Sequence, residues 1–313
     1  MAGRIAITGA NGFVGRHLTR AASAEGWEVA GVVRSDAAAQ VVGDAGGQAR
    51  VVPDLDSPNL ADALAGAATL VHLAQVGAER AGESYQETNL EGTRRALAAA
   101  RRARVPRIVF LSGLGVAHYG IKRRCTNSYF LSKLACELEL FRSGLEVVVF
   151  RPSYILGPGG ELIPSLLEEI ARGEVEMIGN GGFRIQPIAV RDVSALILAA
   201  ARRVGSRPSV FDLVGREPVS YRELVARVAG AARRLGAGGD YRVREILPSE
   251  AERRARTTGY RGMLPDELDC LLSDEVSSPR RLEGLLGHPL TPLDDAIRIA
   301  AQGGAEGGLG IWV

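Results

Sequence analysis

The sequence predicts an α/β fold in which a doubly wound parallel sheet is covered by helices on both faces. Its first half alternates short, continuously apolar strands with amphipathic helices, a pattern typical of parallel strands buried on both sides. A glycine-rich turn at residues 9–15 joins the first predicted strand to the first predicted helix. Ligands of such sheets bind beyond the carboxyl ends of the strands, so we expect the functional site at that edge.

The N-terminal segment carries the strongest local signal. Residues 4–8 predict a strand, and a helix follows to about residue 25. Gly9 can adopt the backbone angle that the turn needs, Gly12 allows close approach of a ligand, and Gly15 allows tight packing of helix on strand. The helix start favours an anion, most naturally a pyrophosphate, although a glycine-rich turn also occurs in other α/β proteins. The predicted cofactor-binding residues of this turn are Gly9, Asn11, Gly12, Phe13, Val14 and Gly15.

The remaining elements follow in chain order. Apolar runs predict strands at residues 27–33, 50–52, 69–73, 107–112 and 146–150. Periodicity predicts helices at 83–104, 128–142, 161–172 and 191–203, and Ser220 predicts the N-cap of another helix. We therefore expect a dinucleotide-binding domain at 1–160, a smaller substrate lobe interleaved with the sheet at 161–300, and a flexible tail at 301–313. The charged stretch 241–260 is either a specificity or partner surface or a solvated insertion.

Composition excludes several classes of function. The 313 residues carry a net charge of +2, which provides no argument for nucleic acid or membrane partners. The start of the chain does not resemble a signal peptide, and no apolar run approaches a membrane-spanning length. Three cysteines and four histidines lack ligand spacing, so neither disulfides nor a metal site is expected. We expect a cytoplasmic protein with a small-molecule substrate.

The end of the second predicted strand bears on cofactor choice. Folds that prefer NAD usually carry an acidic residue there, whereas this chain has Arg34, whose guanidinium can pair with a 2′-phosphate. This favours NADP(H), although Arg34 can equally be a solvated loop charge, and Asp36 keeps NAD(H) open. Asp54, followed by Leu55 after the third strand, is a candidate adenine contact or only a turn former after Pro53.

Tyr129 and Lys133 form the next signal. Residues four apart share one face of a helix, and a nearby ammonium lowers the pKa of a phenol so that it can exchange a proton with a substrate. Lys133 can also hydrogen-bond a nicotinamide ribose. The spacing alone is common, but this chain uses arginine almost everywhere and holds only one other lysine, Lys122. The sequence therefore predicts Tyr129 and Lys133 as a catalytic pair.

Together these motifs resemble the short-chain dehydrogenase/reductase superfamily, in its extended or atypical branch. The resemblance rests on TGANGFVG at 8–15, YFLSK at 129–133 and RPSYILGPG at 151–159. Weaker similarity to the substrate lobes of nucleotide-sugar epimerases, dehydratases and reductases continues along the chain. The resemblance implies a Rossmann-type fold, Tyr129 as catalytic acid/base, Lys133 as its partner, and Asn89 in a structural or proton-relay role. It also implies cofactor contacts from Leu73, Ala74, Pro152 and Ser153.

The sequence departs from that family where a catalytic hydroxyl is expected. Members of the extended branch place it near the end of the fifth strand, where this chain has Gly113, with Ser112 one position early. One position along a strand is the opposite face, so Ser112 can serve only if the chain has already left the strand. Thr126 or Ser128 are possible substitutes. The atypical branch includes reductases as well as members that bind NADPH without known turnover.

The sequence therefore supports two alternative functions. The first is an NADP(H)-dependent oxidoreductase or epimerase-type enzyme acting on an alcohol/carbonyl centre of a nucleotide-activated sugar or similar polar substrate. In that case Arg184 and Arg191 can grip a substrate diphosphate, unless they are surface charges. The alternative is a non-catalytic NADPH-binding subunit or redox-sensing regulator. The long helices at 83 and 128 resemble the family's dimer seam, which makes a homodimer possible.

Overall fold

The computed structural model describes residues 3–79, 82–118, 127–203, 208–257, 260–261 and 263–303. Three features of the sequence lie outside these residues: Lys122, the candidate donor Thr126, and the predicted tail from 304 onward. The strands of the described chain are β1 Arg4–Thr8, β2 Glu28–Val33, β3 Gln48–Val51, β4 Thr69–His72, β5 Arg107–Leu111, β6 Glu146–Pro152, β7 Ile155–Leu156, β8 Glu174–Ile178, β9 Arg184–Ile185, β10 Ile188–Ala189, β11 Ser209–Leu213, β12 Val219–Ser220 and β13 Arg242–Ile246. The α-helices are α1 Phe13–Ala24, α2 Asp36–Asp44, α3 Leu60–Leu64, α4 Gly92–Arg102, α5 Ser128–Phe141, α6 Leu162–Ala171, α7 Val190–Arg202, α8 Tyr221–Arg234, α9 Pro248–Thr257, α10 Arg280–Leu286 and α11 Leu293–Gln302.

Seven strands form the main sheet in the order β11-β6-β5-β4-β1-β2-β3, and all neighbouring pairs are parallel. The strand order reverses between β1 and β4, so the crevice beyond their carboxyl ends is the expected ligand position. The predicted doubly wound fold is confirmed. Three further two-stranded sheets, β10-β7, β12-β9 and β13-β8, lie outside the main sheet.

Alternating side chains of the central strands supply two separate cores. Ile5 and Ile7 of β1 pack in one cluster with residues of α1, α7 and α10. Ala6, between them, belongs to a second cluster with residues of α3, α4 and α5. Since successive residues of a strand point to opposite faces, helices cover both sides of the sheet. A third core joins α6, β8, α8 and α11 in the smaller lobe.

Several local predictions are corrected by the structure. The helix expected at 83–104 begins as a π-helix at Tyr85–Glu91 and continues as α4. Ser84 caps its start by accepting a hydrogen bond from the Glu87 amide at 3.1 Å. Two short helices, α2 and α3, are absent from the sequence prediction; α2 buries only Val42, so its sequence shows little apolar periodicity. The unassigned stretch 241–260 contains β13, which pairs with β8, and α9. The Ser220 N-cap is confirmed, with its Oγ 3.1 Å from the Glu223 amide.

Candidate active site

A cavity of about 920 Å³ opens beyond the carboxyl ends of the central strands. Gly9 follows β1, Leu73 follows β4, Gly113 follows β5 and Ser153 follows β6, and all four line this cavity. Residues of α6 and of the segment 261–275 line its opposite wall. The sheet and the smaller lobe therefore enclose one continuous site.

The glycine-rich turn forms one end of the cavity. Gly9 has a φ of +69°, a conformation that L side chains rarely adopt, which confirms the backbone role predicted for it. A Cβ on Gly15 would lie 2.2 Å from the Gly9 carbonyl oxygen, so the close packing of α1 on β1 requires glycine. Gly12 caps α1 without a side-chain hydrogen bond, which leaves the positive end of the helix open to an anion. All six residues predicted in this turn line the cavity.

Tyr129 and Lys133 lie together in the wall next to β5. The Lys133 ammonium is buried, donates hydrogen bonds to the Leu111 carbonyl at 3.1 Å and to Gln75 Oε1, and lies 5.3 Å from the centre of the Tyr129 ring. Burial lowers the pKa of Lys133 to about 8. The Tyr129 hydroxyl is buried and has no hydrogen-bond partner among the described residues.

The pKa expected for Tyr129 is wrong in direction. Burial raises the pKa of the phenol well above its ordinary value, and the negative charges of Glu275 and Glu267 raise it further. The ammonium of Lys133 faces the aromatic ring rather than forming a hydrogen bond with the hydroxyl, so it does not offset the desolvation of a phenolate. The phenol is therefore protonated at neutral pH.

Asn89 has a structural position beside this pair. Its Oδ1 accepts from the Val76 amide at 2.8 Å, and its Nδ2 donates to the Val76 carbonyl at 3.1 Å and to Ser132 Oγ at 3.2 Å. These contacts hold the loop after β4 against α5. The oxygen and the nitrogen of the Asn89 side-chain amide thus both have hydrogen-bond partners, and Asn89 does not line the cavity.

The structure does not place Ser112 in the site. Its neighbours Leu111 and Gly113 line the cavity, whereas the Ser112 hydroxyl is buried without a partner among the described residues. A Cβ on Gly113 would lie 2.7 Å from Cε1 of Phe130, so the aromatic ring fills the space that a side chain would need. Ser128, the described substitute, hydrogen-bonds Asp266 through both its amide, at 2.9 Å, and its hydroxyl.

The residues expected at the adenosine end lie outside the lining of this cavity. Arg34 follows β2 with 76% of its side chain exposed, and its Nη1 lies 3.1 Å from Glu83 Oε1. Asp54 Oδ1 accepts from the Asp56 amide at 2.9 Å, which is the turn-forming alternative, and Leu55 packs on the core beside Gly92.

The remaining predicted cofactor contacts do not all line the cavity. Leu73, Pro152 and Ser153 line the cavity, whereas Ala74 does not; its amide lies 3.4 Å from Thr8 Oγ1.

Neither arginine expected to grip a substrate diphosphate lines the cavity. Arg184 donates to Asp274 Oδ2 from Nε at 2.9 Å and from Nη2 at 2.7 Å, and half of its side chain is exposed. Arg191 donates to Thr291 Oγ1 at 2.7 Å. Both guanidinium groups therefore have hydrogen-bond partners within the protein.

Sequence reasoning missed the wall that faces Tyr129. Glu267 accepts a hydrogen bond from the Tyr85 hydroxyl and another from the Leu264 amide at 2.9 Å, and burial raises its pKa. The Arg261 guanidinium lies 5.8 Å from the ring centres of Tyr221 and Tyr260 and donates to the Glu176 carbonyl at 2.9 Å. Glu267 lies in a short 3-10 helix, Pro265–Leu271, and Arg261 lies in a turn, both distant in sequence from Tyr129, where no periodicity or spacing could have identified them. The further missed lining residues include Gln75, Tyr154, Met263, Cys270 and Glu275.

No helix in the described part of the chain is long and apolar enough to cross a membrane. Among the same residues, no group of three or more His, Cys, Asp or Glu side chains could hold a metal ion.

Comparison with known proteins identifies relatives of this fold and site. The profile of the NAD dependent epimerase/dehydratase family matches residues 5–213. Ceramide reductase of Caulobacter vibrioides is 33% identical over 201 residues, covering 64% of this chain and 61% of its own length. A 4-hydroxy-2-methyl-3-oxo-4-farnesyl-3,4-dihydroquinoline-1-oxide ketoreductase of Stigmatella aurantiaca is 30% identical over 216 residues, covering 64% of this chain and 65% of its own length. The chain thus spans less than two thirds of the length of these curated relatives.

A solved structure covers nearly the whole chain. The UDP-glucuronic acid 4-epimerase of Bacillus cereus, in complex with UDP-glucuronic acid and NAD, superimposes with a TM-score of 0.75. The match covers 96% of this chain and 98% of the epimerase at 16% sequence identity. At that identity the similarity shows the common fold.

Proposed function

The chain belongs to the NAD dependent epimerase/dehydratase family, and we propose that it is an NADP(H)-dependent oxidoreductase acting on an alcohol/carbonyl centre. The observation that carries the proposal is the buried Tyr129–Lys133 pair, which lines the same cavity as the glycine-rich turn. A dinucleotide held with its pyrophosphate at the start of α1 reaches towards this pair along the carboxyl edge of the sheet. The Rossmann-type sheet, the open helix start and the lining residues Pro152 and Ser153 support the same cofactor position.

Tyr129 supplies the proton in the direction of carbonyl reduction. Its raised pKa keeps the phenol protonated at neutral pH, so the hydroxyl carries the proton that carbonyl reduction requires. A reduced nicotinamide, when bound, would supply the hydride for the substrate carbonyl carbon and would be left oxidised. Tyr129 would donate its proton to the carbonyl oxygen, which becomes the hydroxyl of the product. The Lys133 ammonium lies 5.3 Å from the ring centre and donates to Gln75, so its role is to position this wall of the cavity and to hydrogen-bond a nicotinamide ribose.

The cavity favours a substrate whose reacting centre is attached to an apolar body. Val76, Leu162, Leu166 and Met263 are apolar residues of the cavity lining. Both curated relatives are named as reductases of compounds with long hydrocarbon portions, which supports the same class. A nucleotide-activated sugar is the second candidate substrate, favoured by Arg261, a half-buried cation in the lining.

A non-catalytic NADPH-binding protein or redox-sensing regulator is the alternative function. The observation in its favour is the replacement of the expected hydroxyl by Gly113, packed against Phe130.

Consumption of NADPH in the reductive direction, or its formation in the oxidative direction, tests the two functions. Purified protein is assayed with ethyl 3-oxodecanoate and, in the oxidative direction, with UDP-glucose and NADP⁺. Turnover of either compound, lost at least a hundredfold in Tyr129→Phe with cofactor affinity unchanged, supports the enzyme and selects its substrate class. Tight binding of NADPH without turnover of either compound favours the non-catalytic alternative.

We also propose a homodimer formed through α5. Leu131, Leu138 and Phe141 of this helix are large apolar residues with 38%, 46% and 37% exposure. Their spacing of seven and three residues places them along one side of the helix. Pairing with a second copy would remove this stripe from water.

A further inference from the structure

A glutamine in the cavity wall has an unused hydrogen-bond donor. Gln75 lies just after β4, lines the cavity, and its Nε2 is buried without a hydrogen-bond partner among the described residues. Burying a donor without a partner is unfavourable, so its presence in a cavity wall indicates a hydrogen-bond acceptor that arrives with the ligand.

Lys133 determines which end of the Gln75 amide is free. An ammonium can only donate hydrogen bonds, so the group facing Lys133 Nζ must be the amide oxygen. The orientation of the amide therefore follows from chemistry rather than from an arbitrary choice between oxygen and nitrogen. The remaining end, Nε2, carries two N–H donors and no acceptor.

The same lysine places Gln75 beside Tyr129. Lys133 Nζ hydrogen-bonds Gln75 and lies 5.3 Å from the centre of the Tyr129 ring. The Tyr129 hydroxyl is a second buried polar group of the lining without a partner among the described residues. Two donors around one ammonium thus border the same part of the cavity.

No hydroxyl on the end of β5 supplies such a donor. The side chain of Ser112 is absent from the lining, and Gly113 cannot accept a side chain without displacing Phe130. A carbonyl that is being reduced develops negative charge on oxygen and needs a donor besides the proton source.

We propose that Gln75 Nε2 donates this hydrogen bond, so that Gln75 and Tyr129 together bind the oxygen of the reacting centre. The proposal rests on the oxidoreductase function proposed above. In that arrangement Lys133 holds the amide by its oxygen and keeps the N–H groups directed at the substrate. Gln75 is then a catalytic residue in place of the missing hydroxyl.

Binding of 4-nitrophenolate tests the proposal without any turnover. This anion presents one oxygen to the site, and its absorbance reports whether it is bound in the ionised form. Two variants separate the possible causes of a loss: Gln75→Glu keeps an acceptor for Lys133 but removes the donor, whereas Gln75→Met removes the donor without adding charge. The matched control is Gln302→Glu at the exposed end of α11, where Arg298 is the neighbouring partner.

We expect each Gln75 variant to weaken phenolate binding about tenfold or more, because hydrogen bonds to charged groups contribute about 1.5–3 kcal/mol. Tyr129→Phe is expected to weaken it similarly, and Gln302→Glu not at all. NADPH affinity within twofold of the wild type verifies that each variant is folded. If Gln75→Met binds the phenolate as tightly as the wild type, or if the wild type does not bind it, the proposal is wrong.

The design distinguishes this proposal from the proposed function. Loss of phenolate binding in both Gln75 variants, together with no turnover of any carbonyl probe by the wild type, retains the oxygen site and rejects the enzyme. Turnover that is unchanged in both Gln75 variants retains the enzyme and rejects the role of Gln75.

Discussion

Arg34 provides the most direct test of cofactor preference. Its guanidinium follows β2 with 76% of the side chain exposed, and its ion pair with Glu83, at 3.1 Å, is also exposed. Such a pair contributes at most about 1 kcal/mol, so Glu83 is a weak competitor for a 2′-phosphate. A bidentate guanidinium–phosphate contact at this exposed position should contribute a net 1–2 kcal/mol, which is about a five- to thirtyfold preference for NADPH.

The perturbation is Arg34→Glu, measured by titration calorimetry with NADPH and NADH. We expect the dissociation constant for NADPH to rise about tenfold or more, because the guanidinium is lost and a like charge faces the phosphate. Affinity for NADH is retained, since a carboxylate can accept a hydrogen bond from a ribose 2′-hydroxyl. Arg20→Glu, the same charge change at an exposed position of α1, is the matched control and leaves both affinities within twofold.

Salt supplies an independent check of the same contact. Raising the ionic strength from 0.05 to 0.5 M should narrow the NADPH preference of the wild type, because an exposed charge pair is screened. A wild-type protein that binds NADPH and NADH equally, or an Arg34→Glu variant with an unchanged ratio of the two affinities, refutes the assignment of Arg34 to the 2′-phosphate.

Three further predictions concern packing, protonation and assembly. Gly113→Ser should lower the free energy of unfolding by about 1–3 kcal/mol in urea denaturation, because the new Cβ would lie 2.7 Å from Cε1 of Phe130. Adding Phe130→Leu to this variant should restore part of the lost stability. The pKa of Lys133 is about 8 in the folded protein, against 10.5 when exposed, so the unfolded chain binds more protons than the folded protein between these pH values. The free energy of unfolding of the wild type should therefore rise from pH 8 to pH 10.5 relative to that of Lys133→Met. Parallel curves of stability against pH for the two proteins would contradict this. Leu138→Glu should convert a dimer to a monomer in light scattering after gel filtration, whereas a monomeric wild type would exclude the α5 interface.

The sequence by itself determined the fold class and the local devices of the first βα unit. A strand, a glycine turn and a helix specify their geometry within fifteen residues, so the positive φ of Gly9 and the tight packing at Gly15 were predictable. The Ser220 cap was predictable for the same reason, because an N-cap contact spans only three residues. The parallel, doubly covered sheet followed from apolar runs that are typical of strands buried on both faces, whereas the order of its strands came from the structure.

Tertiary structure alone decided the electrostatics of the candidate site. The spacing of Tyr129 and Lys133 places them on one helical face, but it does not reveal whether their side chains are exposed to solvent. Burial reverses the expected shift in the pKa of Tyr129. The partner of Lys133, Gln75, follows a different strand 58 residues earlier. The positions of Arg184 and Arg191 likewise depend on carboxyl and hydroxyl groups about ninety and one hundred residues away along the chain.

The boundary between the two kinds of information is set by contact range. Hydrogen bonds within a turn or a cap are enforced by the local backbone, whereas solvation and hydrogen-bond satisfaction depend on every segment that packs around a group. The wall formed by Arg261, Met263 and Glu267 has no local signature, since its residues lie in a turn, an isolated β-bridge and a short 3-10 helix, and their environment comes from segments distant in sequence.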